Sequence, residues 1–351
     1  MSVTRKRKPK IQAIDLFCGV GGLTHGLIQG GIEVIAGVDV DENCRYPFEK
    51  NNNANFVNCD VAKLTGAQLR RMYDPTNIKL LAGCAPCQPF STYSQSGRNK
   101  NYESQWPLVL EFSRLVRQVQ PELVTMENVP QLVNHEVFQE FLESLKGYKV
   151  WWDVVECSKI GVPQTRKRLV LLASRLGNKG LEISKTHYKN VTVRDVIGSL
   201  PAINAGGKNS KDSLHISPSL SDINLRRIKA SKPGGTWRDW PESLQAECHK
   251  KSSGLNYISV YGRMEWDKCA PTMTTQCFGY GNGRFGHPEQ NRAISLREAA
   301  MLQTFPSTYE FAESDSDVAF SKLGRLIGNA VPVRLGEVIA NTLYSHVEAY
   351  A

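Results

Sequence analysis

The sequence predicts an α/β protein with a mostly parallel sheet and a second, smaller domain. Three observations predict it. Short apolar runs alternate with amphipathic stretches from about residue 11 to residue 145, the pattern of strands joined by helices. That alternation breaks after about Ser174, and Gly, Ser, Asn, Pro and Lys dominate to about Pro288. The chain has 351 residues, more than one hydrophobic core usually organises.

The elements follow in order. Residues 11–17 form a buried run and predict a strand, with a helix over 21–29. Residues 33–40 predict a second strand, with a helix starting at Asp41. Residues 79–83 predict another strand. Over 107–118 the apolar residues Leu108, Val109, Phe112, Leu115 and Val116 fall on one helical face. A strand at 123–127 and a helix at 135–145 follow, then an apolar strand at 169–172. In such a sheet, ligands bind beyond the carboxyl ends of the strands. The irregular tract carries aromatic residues at Trp237, Trp240, Tyr257, Tyr261, Trp266, Phe278 and Tyr280. Helical patterns return at 295–303 and 333–347. No internal repeat is present.

Charge and cysteine usage narrow the class. Forty-three Lys and Arg against 34 Asp and Glu give a formal net charge of +9, which favours a polyanionic partner without specifying one. Nine scattered cysteines, an odd number, suggest no disulfide framework and fit a reducing cytoplasm. The start carries Arg5, Lys6, Arg7, Lys8 and Lys10 with no apolar segment after them, so a secretory signal is not expected. That basic arm reads as a solvated end or as a contact for phosphates. No run approaches ~18 apolar residues, so no membrane span is expected.

Several short motifs lie at the expected strand ends. Asp15-Leu16-Phe17-Cys18-Gly19-Val20-Gly21-Gly22 closes the first strand and opens a helix, where glycines let a ligand approach the backbone. A phosphate site, a nucleotide site and a plain tight turn look alike at this level. The spacing lacks the third glycine of a dinucleotide fingerprint. Asp39 and Asp60 end the next apolar stretches. Each alone is a cap or turn residue as readily as a ribose ligand, but three such strand ends in a row point to a nucleoside-bearing cofactor. Cys84-Ala85-Pro86-Cys87-Gln88-Pro89-Phe90-Ser91 contains a Cys-x-x-Cys, which also fits a redox pair or half a zinc site. Pro89 argues against the helix that follows a thioredoxin-type pair. Glu127-Asn128-Val129-Pro130 ends a strand, and Gln164, Arg166 and Arg168 alternate before the next one. If that segment is extended, the three side chains share a face.

Together these segments, with others at 297–306 and 328–333, resemble the ordered motif set of the cytosine-C5 DNA methyltransferases. The likeness runs from about residue 11 to 347, and Pro-Cys-Gln-Pro-Phe-Ser is its most specific part. It implies a Rossmann-like S-adenosylmethionine-dependent methyltransferase fold. The expected division is a catalytic and cofactor-binding part at 1–190 and 300–351 and a target-recognition part at 191–299, within which Pro271-Thr272-Met273-Thr274-Thr275 also resembles the family.

The resemblance implies roles by residue. Cytosine C5 is too weak a nucleophile to take a methyl group until another nucleophile adds at C6. Cys87 would be that nucleophile. Glu127 would bind N3 and the exocyclic amine, Arg168 the base O2, and Arg166 would organise the surroundings of the thiol. S-adenosylmethionine is the implied cofactor, leaving S-adenosylhomocysteine, and no metal is implied. Phe17, Gly19, Gly21, Asp39, Val40, Asp60, Val61, Pro86, Leu108, Asn329 and Val331 would line its site, so the C-terminal helix should pack back on the first domain. The base would be flipped out of duplex DNA, with residues 91–101 as a closing lid. Arg263, Gln276 and Arg284 are candidates for reading bases. The implied setting is a monomer in the bacterial cytoplasm, with no membrane partner and with a cognate restriction endonuclease as a separate protein. A tRNA cytosine methyltransferase of the same family is the nearest alternative. A DNA-binding module without activity and a thioredoxin-like oxidoreductase explain fewer of the motifs.

Overall fold

In the computed structural model, residues 10–86, 106–184, 190–252, 254–314 and 318–351 are described. Seven strands form a single sheet: β1 (Ile11–Leu16), β2 (Glu33–Asp39), β3 (Asn55–Asn58), β4 (Ile78–Gly83), β5 (Leu123–Asn128), β6 (Lys149–Glu156) and β7 (Lys167–Ser174). Their spatial order is β3-β2-β1-β4-β5-β7-β6. The first five run parallel, and β7 is antiparallel to both β5 and β6. β1 is buried along its whole length, as expected of a parallel strand covered on both faces.

Helices α1 (Gly22–Gln29), α2 (Arg45–Asn51), α3 (Gly66–Met72), α4 (Pro107–Val119) and α5 (Glu136–Ser144) follow successive strands. Pro107 suits the first turn of α4 because its missing N–H would lack an intrahelical partner there. The helix buries Val109, Phe112, Leu115, Val116 and Val119, and Phe112 meets Phe141 of α5 edge-on at 5.1 Å. The C-terminal helix Val333–Glu348 packs on α1, as the sequence expects. A Cβ on Gly26 would lie 2.1 Å from the Val333 carbonyl oxygen and 2.7 Å from Gly336 Cα. Only hydrogen at both glycines lets the two backbones touch. His346 ties the same helix to β7, its ring nitrogens 2.7 Å from Ser174 Oγ and 2.6 Å from Lys179 O.

The chain divides into two compact units. One is Met1–Glu156, Lys167–Thr186 and Val331–Ala351, and contains the sheet. The other is Cys157–Arg166 and His187–Ala330. This second unit is larger than the tract of changed composition. It takes 157–166 because Gln164 Nε2 donates to Leu302 O and Gln303 Oε1, both at 2.7 Å. It takes 320–330 because helix Phe320–Asn329 offers its glycines as contact points. A Cβ on Gly324 would lie 2.2 Å from Phe278 Cδ1, and one on Gly328 1.9 Å from Thr274 O. Those glycines also weaken the helical signal, so this helix escapes the sequence pattern. A composition shift marks where regular structure stops, not where contacts divide. No helix among the described residues is long and apolar enough to cross a membrane.

Candidate active site

The sheet order reverses at β1 and β4, whose last residues Leu16 and Gly83 are register partners. In open α/β sheets ligands bind at such a reversal, beyond the carboxyl ends of the strands. On the β1 side the turn is built from left-handed backbone: Phe17 at φ 59°, Gly19 at 51° and Gly21 at 86°. Phe17 is the strained member, since a side chain disfavours that region. Gly21 caps α1. A Cβ on Gly19 would meet nothing within 4 Å, so its glycine answers to backbone conformation and leaves open space above the turn.

Asp39, at the end of β2, organises this turn. Its Oδ2 accepts from Gly19 N–H and its Oδ1 from Asp41 N–H, both at 2.9 Å. Each oxygen keeps a second lone pair for a ligand hydroxyl. Val40 beside it is 71% exposed, a largely open apolar surface. Asp60 is tied as a cap, accepting from Ala62 N–H at 3.0 Å ahead of the turn Val61–Lys63, and Val61 is buried. Phe17 and Leu108 sit half-buried at the margin of the core. Pro86 is exposed. Asn329 is the exposed last residue of its helix in the second unit, whereas Val331 is buried and begins the final segment of the first.

Under the turn lies Asp15, fully buried, with Oδ2 accepting from Thr24 Oγ at 2.7 Å. Its Oδ1 has no hydrogen-bond partner among the described residues. Burial, with the charge of Asp39 as a smaller contribution, pushes its carboxyl up to about 7.

A second carboxylate lies at the tip of β5. Glu127 is 2% exposed. Its Oε2 accepts from the Cys84 thiol at 2.7 Å. Its Oε1 lies 2.8 Å from Arg168 Nε, close enough to pair the charges but not aligned as a hydrogen bond. Asn128 Nδ2 donates to Ala85 O at 3.1 Å, and Cys84 N–H to Leu16 O at 3.3 Å. The segment after β4 is thus fastened to the ends of both neighbouring strands. Cys87 and residues 91–101 lie outside the described residues.

Gln164 and Arg166 belong to the second unit, and together they clasp one residue. Gln164 Oε1 accepts from Met273 N–H at 2.8 Å, and Arg166 Nη1 donates to Met273 O at 2.9 Å. Arg168 instead lies in β7 opposite Val155.

One expectation is overturned. Arg263 is 4% exposed, and its guanidinium donates to the carbonyls of Ile228, Ser231, His287 and Gln290 and to Asn291 Oδ1. A side chain so engaged has no donor left to read a base. The irregular chain leaves carbonyls without strand or helix partners, and this arginine satisfies them. Arg284 is half-buried, and its Nη1 donates to Gly235 O at 2.6 Å and to Arg263 O at 3.3 Å. Gln276 is exposed. The contacts of Cys84 and Thr24 carry no sequence signal beyond the Cys-x-x-Cys spacing that marks Cys84.

Comparison with known proteins agrees with this architecture. The sequence profile of the family described as C-5 cytosine-specific DNA methylase matches residues 11–345. The chain is 54% identical over 341 residues to the Type II methylase M.HgiDII of Herpetosiphon aurantiacus, covering 95% of both chains. It is 31% identical over 338 residues to the Type II methyltransferase M1.HphI of Haemophilus parahaemolyticus, covering 94% of this chain and 86% of that one. Among solved structures, the methyltransferase EhMeth of Entamoeba histolytica shares the fold, with a TM-score of 0.64 at 16% identity over 96% of this chain and 99% of that one.

Proposed function

From the premise that this chain belongs to the C-5 cytosine-specific DNA methylases, and is therefore a DNA (cytosine-5)-methyltransferase, we propose that it works through a covalent adduct between Cys87 and C6 of a flipped cytosine. The observation that carries the reading is Glu127: a buried carboxylate at a strand tip, beside Arg168, on the strand next to the one that leads to Cys87. A carboxyl group there suits N3 and the exocyclic amine of a cytosine, and a guanidinium suits O2. Addition of the Cys87 thiolate at C6 makes C5 electron-rich, and protonation at N3 through Glu127 stabilises the adduct. Removal of the C5 proton, by water in this reading, expels Cys87.

The residues at the ends of β1 and β2 fit S-adenosylmethionine. The glycine turn leaves open space, Asp39 retains acceptor capacity for ribose hydroxyls, and Val40 offers a bare apolar face for an adenine. When bound, that cofactor supplies an electrophilic methyl group. By the family resemblance, Asp60, Val61, Pro86, Leu108, Asn329 and Val331 are the further residues assigned to its lining, and Arg166 is assigned to the surroundings of the Cys87 thiol. We assign sequence choice to 191–299 and chemistry to the rest. As the relatives are Type II enzymes, a separate restriction endonuclease of the same specificity is the proposed companion, with this chain acting as a monomer in the bacterial cytoplasm.

The test is direct. Purified protein, S-adenosylmethionine and mixed-sequence duplex should yield 5-methylcytosine at one short recurrent sequence. Methyl groups on an exocyclic nitrogen, or preference for tRNA over DNA, would overturn the reading.

A further inference from the structure

We propose that Cys84, the first cysteine of the Cys-x-x-Cys motif, is a positioning residue that holds Glu127 ready for the incoming base. The inference rests on the role proposed above for Glu127. The fold places this thiol with care. The backbone N–H of Cys84 is fixed to Leu16 O at the end of β1, its chain leaves the end of β4, and its Sγ reaches Oε2 of Glu127 at the end of β5. Three neighbouring strand tips are thereby tied through one residue. Arg168 stands at the other carboxylate oxygen, so both oxygens are held in place before substrate arrives.

The chemistry of the thiol explains why cysteine suits the position. An S–H group is a weak donor. It orients a carboxylate in the free protein, yet a cytosine amine, a stronger donor, displaces it easily from Oε2. A hydroxyl would orient the carboxylate equally well but would compete with the base. An alanine would leave Oε2 without that donor, with the Arg168 charge at Oε1 left to orient the carboxylate. The thiol's contact with Oε2 assigns its effect to Glu127.

Two variants and one spectrum test this. Cys84→Ala should lower kcat roughly tenfold, the scale of one hydrogen bond to a charged group, with the KM for S-adenosylmethionine and the melting temperature unchanged. Cys84→Ser should recover most of kcat while raising the KM for DNA, because its stronger donor must be displaced. In Raman difference spectra between wild type and Cys84→Ser, the Cys84 S–H stretch should lie low, and it should rise on Glu127→Gln. Wild-type kcat in Cys84→Ala, or an S–H band insensitive to Glu127→Gln, would overturn the proposal. If Glu127→Gln itself methylates at the wild-type rate, the role given to Glu127 falls first, which separates the two failures.

Discussion

The guanidinium of Arg292 lies flat against the carboxylate of Glu298, Nη1 to Oε2 and Nη2 to Oε1, each at 2.7 Å, with the two side chains 0% and 1% exposed. Glu298 also accepts from Ser295 N–H at 2.6 Å, so the same carboxylate caps the helix Leu296–Leu302. Burial alone would raise its pKa, but the bonds from Arg292 hold it below the ordinary value of 4.5. A carboxyl group with a depressed folded pKa stabilises the protein above its unfolded value and loses that contribution in acid. Glu298→Gln should therefore cost about 3–5 kcal/mol near neutrality, since it strands a buried cation. Denaturant titration at several pH values should show the gap to wild type closing below pH 4.5.

Arg263 and Gln276 should behave oppositely. Arg263→Ala removes donors from four backbone carbonyls, and each buried acceptor left bare costs roughly 1–3 kcal/mol. A melting temperature several degrees lower is expected, with the methylated sequence unchanged in the protein that remains folded. Gln276→Ala should leave melting unaltered, because the side chain is exposed. Mapping of methylated sites should show relaxed or weakened selection if it reads a base.

Cys87→Ser should abolish methyl transfer and spare cofactor binding, since the assigned nucleoside site uses other residues. Duplex carrying 5-fluorocytosine should trap the wild-type protein in an adduct that survives denaturation, because fluorine at C5 cannot leave as a proton does. Gel mobility reads this out, and ordinary activity with no trapped species would exclude the covalent route.

Asp39→Ala removes the acceptor that ties the Gly19 turn to the end of β2 and that offers lone pairs to a ribose. Calorimetry should show S-adenosylmethionine affinity falling by at least tenfold, since a hydrogen bond to a charged group contributes about 1.5–3 kcal/mol. DNA affinity should change little. Equal losses for both ligands would point to a general collapse of the turn.

The sheet half was legible because its signals are local. Buried parallel strands read as apolar runs, and α4 shows its face at helical spacing. β6 went unread because it is an edge strand with a mixed face, where Val150 and Trp152 stay exposed. Asp39 was visible as an acidic residue ending a strand, but its two backbone bonds were not, because they depend on the turn conformation. Arg263 shows the harder limit. A basic residue in an irregular, Gly-rich tract has the same sequence context whether it faces DNA or satisfies carbonyls inside. Only the spatial return of residues 228, 231, 287 and 290 to one point distinguishes the two.

The contact of Gly26 with Val333 and Gly336 also sets a schedule for biosynthesis. A ribosome delivers residues 22–29 long before residues 333–348, so α1 waits through the synthesis of all the intervening elements for the helix that packs on it. The sheet strands are all made by Ser174, yet the unit that holds Glu127 and Arg168 closes only after the second unit has been synthesised. Long-range closure of this kind is slow and leaves sticky surface bare meanwhile. A nascent chain that has not yet reached Val333–Glu348 therefore leaves the Gly26 face of α1 uncovered, and the sheet unit is completed only when that helix docks.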